Sequence, residues 1–171
     1  MKKTTLIILT ILTGLTLQSF GQKLQENKTD EFTKTSVKRT SWESLSSTSS
    51  ANAHFRISLV GDLETFDLKL MIDKVFAIDK DKEVMFKLDN GEILTVQNIE
   101  FEVTCNGCGA VGLQGSEAEG LQVSYLLSKD QIEKLKAHKI VKVRIDTNDG
   151  YIDADIKDKN ADKFQKSLML L

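Results

Sequence analysis

Apolar residues recur at every second position in several short stretches of this chain. Phe55, Ile57 and Leu59 alternate with polar neighbours, and after Gly61-Asp62 so do Phe66, Leu68, Leu70 and Ile72. That period puts one row of side chains against a core and the other towards water, as in a half-buried β-strand. A short segment follows at 75–78. Val84, Phe86 and Leu88 then lead into Asp89-Asn90-Gly91. A three-residue loop with Gly91 left-handed sets Phe86 opposite Leu94 and Val84 opposite Val96. Ile99, Phe101 and Val103 form another alternating strand, and Val123, Tyr125 and Leu127 a further one.

The period changes at Ser128. Ser128-Lys-Asp-Gln131 matches a capping box, with Leu127 and Ile132 at the positions of a hydrophobic staple. Ile132 and Leu135 share a face, so a short helix is predicted over 128–138. Alternation then resumes with Val141, Val143 and Ile145. Asp149-Gly150 predicts a two-residue hairpin turn, setting Ile145 opposite Ala154 and Val143 opposite Ile156. Lys142, Arg144, Asp153 and Asp155 fall on its outer face, where cross-strand charge pairs are expected. Ala161, Phe164, Leu168 and Leu171 share a helical face, predicting a second helix over 159–170 with Asp158 or Asn160 as its cap. The fold class expected is mainly β: an antiparallel β-sandwich or a strongly curved sheet with two short helices.

The start of the chain reads differently. Lys2 and Lys3 precede an apolar run from Leu6 to Leu17, and Ser19-Phe20-Gly21 ends in small residues. This is an export-signal pattern over 1–21, with cleavage expected before Gln22. The run is too short and too rich in Thr to span a bilayer well, so no stable membrane span is expected after processing. No Cys stands at the cleavage site, which argues against a lipid anchor. Residues 22–52 read as a polar N-terminal arm (22–31), an edge segment (32–42) containing the single tryptophan, Trp42, and a Ser-rich loop (44–52). Trp42 is expected to be buried as a sheet anchor. Residues 53–171 read as the β-sandwich domain.

With 171 residues and a formal net charge of −2, the chain makes one domain of mild acidity. Nothing in that balance suggests nucleic acid as a partner. The absence of proline leaves the turns to Gly, Asn and Asp.

Candidate chemistry is sparse. Cys105-Asn-Gly-Cys108 contains the only two cysteines. In an exported protein the pair reads as a disulfide, and the sharper alternative is a redox dithiol. Thiol oxidoreductases lower a thiolate pKa at a helix N-terminus. Here Gly109, Gly112, Gly115 and Gly120 follow, which does not support a helix. Gly107 to Gly112 also matches GxGxxG, but it lacks the helix that would receive a pyrophosphate. A zinc site from Cys105, Cys108, His54 and His138 lacks finger spacing. Asp146 to Gly150 resembles the start of a calcium loop, but Lys157 stands where its bidentate Glu belongs. No GxSxG or HExxH occurs, so no catalytic residues, metal or cofactor are assigned. The glycine-rich loop, with Asn106, Gly107, Gly109, Gly112 and Gly115, is the binding-loop candidate, since loops on rigid scaffolds carry recognition.

Ser19-Phe-Gly-Gln22, Asp30-Glu-Phe-Thr33, Thr40-Ser-Trp42 and the run Lys142 to Tyr151 resemble small exported proteins of Gram-negative bacteria. The resemblance implies export and carries no activity. The reading is therefore a periplasmic or secreted protein with a binding or structural role, its partner an unknown protein or an envelope polymer. The alternative is a thiol–disulfide redox protein.

Overall fold

The computed structural model describes residues 23–48, 51–72 and 74–171. The expected leader, 1–21, lies outside the described residues. Strands β1 (Leu24–Thr29), β2 (Ser36–Thr40) and β3 (Glu43–Ser47) precede a long hairpin, β4 (Ala51–Val60) and β5 (Leu63–Ile72). There follow β6 (Ala77–Ile78), β7 (Glu83–Leu88), β8 (Ile93–Gln97), β9 (Glu102–Val103), β10 (Cys105–Asn106) and β11 (Glu119–Leu126). Helix α1 (Lys129–Ala137), β12 (Ile140–Thr147), β13 (Gly150–Asp155) and α2 (Asp158–Leu168) complete the order.

The strands build a mainly β, sandwich-like body of antiparallel sheets, with α2 packed into the same core. A seven-stranded sheet runs β1-β2-β4-β5-β11-β10, with β3 also paired to β4. A four-stranded sheet runs β13-β12-β7-β8, and β6 pairs with β9 as a small ribbon. The core joins both large sheets. Phe66 of β5 meets Phe86 of β7 edge-on at 5.2 Å, and Phe164 of α2 lies 4.9 Å from Phe55 and 5.8 Å from both Phe66 and Phe86. All four rings are fully buried. Fully burying one such side chain is worth about 1.5–3 kcal/mol.

Local signals explain the best-formed elements. Ser128 caps α1, its hydroxyl accepting from Gln131 N–H at 3.3 Å while Gln131 Oε1 accepts from Ser128 N–H at 2.8 Å. Phe86 stands opposite Leu94 and Val84 opposite Val96, with Gly91 at φ +88°. Arg144 grips Asp153 with two bonds of 2.7 Å across the β12–β13 hairpin.

The last hairpin departs from expectation by one position. Its turn is Asn148-Asp149, so Val143 faces Ala154 and Ile145 faces Ile152. Tertiary contacts draw Asn148 into the turn: its N–H donates to Ala77 O, and its amide donates to Asp79 Oδ2 at 2.7 Å. The facing residues change while every side chain keeps its side of the sheet, because the pairing moves by two.

The N-terminal segments also differ. Where a polar arm was expected, β1 pairs along β2. Where a Ser-rich loop was expected, β3 pairs with the start of β4, Ser47 opposite Asn52. Small polar side chains carry no alternation signal, but Leu45 is fully buried and its carbonyl accepts from Asn160 Nδ2 at 3.0 Å. Tertiary packing makes this strand, not propensity. That bond also removes Asn160 from capping: Lys157 is the N-cap of α2 and makes no side-chain cap bond. Trp42 is half-buried on the outer face of the large sheet rather than in the core.

Candidate functional site

The glycine-rich loop is built on the end of the large sheet. Cys105 and Cys108 are joined, with Cα atoms 5.3 Å apart. Cys105 pairs with Gly120 and Asn106 with Glu119, so both ends of the loop are held to one ladder. No helix starts at either cysteine; the strand β11 follows the loop. Gly109 packs against β5, and Gly120, in β11, pairs with Met71 of the same strand. A Cβ on Gly109 would stand 2.1 Å from the Leu70 carbonyl oxygen, and one on Gly120 would stand 2.4 Å from the same atom. Lys69 Nζ donates to Ala110 O at 2.6 Å and pins the loop from below. The binding-loop candidate is thus fastened down. Asn106 is exposed and its amide donates to Glu117 O at 3.0 Å. Gly107 and Gly115 take positive φ, and Gly112 and Leu113 stand out at the tip.

Beneath the loop, the outer face of the large sheet is a polar layer. Asp67 of β5 accepts from Arg56 Nε (2.8 Å), Ser58 (2.6 Å), Thr65 (2.9 Å) and Ser124 (2.9 Å). Arg56 and Lys69 both lie over the Trp42 ring, at 4.6 and 4.8 Å from its centroid. Burial holds the Lys69 ammonium below its ordinary pKa, and Arg56 adds to the effect. The two cations cover the indole, so the ring is used internally. His54 was weighed as a zinc ligand. It is buried in this layer, its Nδ1 without a partner, and burial lowers its pKa. His138, by contrast, sits on Asp89 at 3.0 Å. Among the described residues no three His, Cys, Asp or Glu side chains converge to hold a metal.

A second surface was not legible in the sequence. An open groove of about 710 Å³ lies beside β8, lined in part by Thr95, Gln97, Ile99, Leu126, Ser128 and Gln131. From Ile99 at its rim runs the stretch read as an alternating strand, Ile99-Phe101-Val103. It is inverted. Ile99, Phe101 and Val103 are 45%, 57% and 43% exposed, while Glu102 between them is half-buried opposite Ile78. Burial raises the Glu102 carboxyl pKa, and Glu100 raises it further. Leu126, also exposed, lines the groove together with Ile99.

Asn98 fixes this inversion. Nearly fully buried, it donates through Nδ2 to Asp79 O (3.1 Å) and to Glu100 O, and its Oδ1 accepts from Glu100 N–H at 3.2 Å. Its own N–H donates to Lys82 O, and Ile99 N–H donates to Ser124 O. The chain after β8 is thereby tied to β11, and β9 can pair only with the short β6. No larger sheet is left to cover the apolar row. The one sequence clue was the flanking pair of charges, Glu100 and Glu102, on what would have been the outer side.

The fold and surface together define a mainly β protein with an exposed apolar strip. No known protein family, no curated protein and no solved structure matches the chain.

Proposed function

We propose that this chain is an exported, non-catalytic binding protein of the cell envelope, periplasmic or secreted. The inverted strip and the groove beside it are its contact surface. The carrying observation is the inversion itself. Turning Ile99, Phe101 and Val103 to water while drawing Glu102 inward costs stability, and an apolar row held outward by a buried hub suits a partner that covers it. The leader pattern and the joined cysteines support a place outside the cytoplasm. The partner is a protein or an envelope polymer with an apolar face. Pull-down from envelope extract with the purified chain tests this, beside a variant carrying Ile99→Ser, Phe101→Ser and Val103→Ser. The reading expects a partner lost in the variant at unchanged thermal stability; equal capture by both would reject it.

Thiol–disulfide exchange is the second reading, favoured by the bridge between an exposed Cys105 and a half-buried Cys108. Without a helix to stabilise a thiolate, the bridge serves better as a staple. Turnover in an insulin-reduction assay would reverse that order.

A further inference from the structure

We propose that the pocket between β3 and the start of α2 binds a tetrahedral oxyanion, a phosphate or phosphate monoester. The pocket encloses about 220 Å³, and Ser44, Ser46, Lys157, Lys159, Asn160 and Lys163 are among its lining residues. Asp155 is the one acidic lining residue, against three lysines, in a chain that is acidic as a whole.

Three features converge there. The first is the helix end. Asn160 N–H and Ala161 N–H both donate to Lys157 O, while the N–H groups of Asp158 and Lys159 have no acceptor among the described residues. Such groups, with the positive end of the helix dipole, attract an anion. An ordinary N-cap of Ser, Thr, Asp or Asn would satisfy one of them. This helix instead carries Lys157, a residue that cannot accept their hydrogen bonds. Local rules are most often broken where a site needs the break.

The second feature is independent of the helix. Ser46 is 7% exposed, lines the pocket, and its hydroxyl has no hydrogen-bond partner among the described residues. That hydroxyl opens to the pocket rather than being sealed in the core, so an oxyanion there would accept its proton. Ser46 faces this side because it stands opposite Ala53, whose side chain points into the body. The third is charge. Lys163 is committed to Glu43 at 2.6 Å, but Lys157 and Lys159 have no carboxylate within ion-pair distance among the described residues. Two free ammonium groups, two free amides and a free hydroxyl match the several acceptors of a phosphate group.

Inorganic phosphate titrated into the purified chain, followed by amide NMR, tests the site. Saturable shifts at Ser46 and residues 158–160 are expected, with a Kd of about 1 mM or tighter. Lys159→Ala, at an exposed position, weakens binding about tenfold, the scale of one hydrogen bond to a charged group. Lys157→Asp caps the helix, so it raises Tm and abolishes binding; a purely structural lysine would not link the two. Glycerol 3-phosphate binding as phosphate does assigns a soluble ligand. Co-sedimentation with phosphatidic acid vesicles that is displaced by phosphate assigns the same group on a lipid. Shifts reproduced by sodium chloride at matched ionic strength, or retained in Lys157→Asp, overturn the proposal.

Discussion

Gly109→Ala tests most sharply whether the cysteine-bridged loop is fastened to the sheet. The added Cβ would stand 2.1 Å from the Leu70 carbonyl oxygen and 2.7 Å from its carbon. Both belong to the backbone of a central strand, paired on one side with β4 and on the other with β11, so neither can turn aside. Overpacking typically costs about 1–3 kcal/mol, and contact with an immovable backbone belongs at the upper end, about 3 kcal/mol. Gly112→Ala is the control. It meets nothing within 4 Å, and its φ of +62° costs an L residue about 1 kcal/mol. Urea unfolding of the two variants should therefore separate them by about 2 kcal/mol at an unchanged m-value, taking the difference of those two costs. Equal stabilities would show that the loop does not lie on β5 and that its glycines serve flexibility alone.

Three further outcomes follow from the geometry. Asp67→Ala strands Arg56 beneath Trp42 and deprives three hydroxyls of their acceptor; a loss of about 3–5 kcal/mol is expected in chemical denaturation. Among the described residues Glu64 has a carboxylate oxygen that is buried without a partner, and burial raises its pKa above the ordinary carboxylate value. The ionised form thus opposes folding above the unfolded pKa, so Glu64→Gln should raise Tm at pH 7 and leave it unchanged near pH 3.5, where both states are protonated. Replacing both Cys105 and Cys108 by Ser removes a very short cross-link, costing about 2 kcal/mol with the fold retained.

The sequence was most readable where a local signal and a tertiary need agree. The capping box at Ser128 and Gln131, the Gly91 loop and the alternation of Phe66, Leu68 and Leu70 all have causes within a few residues. Ser46 and Leu45 were not readable, because what makes β3 a strand is Asn160, more than a hundred positions away. The turn at Asn148 shifted for the same reason, through Asp79. Gly109 signalled a loop correctly, but its need for close approach to Leu70 exists only in three dimensions. The hardest case was Ile99-Phe101-Val103. Period-two hydrophobicity states that one face differs from the other; it does not state which face meets water. That choice was made by Asn98, a polar residue whose sequence context gives no hint of its burial.

The outward strip is the claim on which the functional reading stands, and site-specific photocrosslinking in exporting cells addresses it directly. A photoreactive phenylalanine analogue placed at Phe101 is compared with the same group at Tyr151, which is also exposed but lies on β13, a strand of the four-stranded sheet rather than of the β6–β9 ribbon. The account predicts a discrete adduct from position 101, absent from position 151 and lost when Ile99 and Val103 are changed to Ser. No adduct at 101, or the same adducts from both positions, would contradict it.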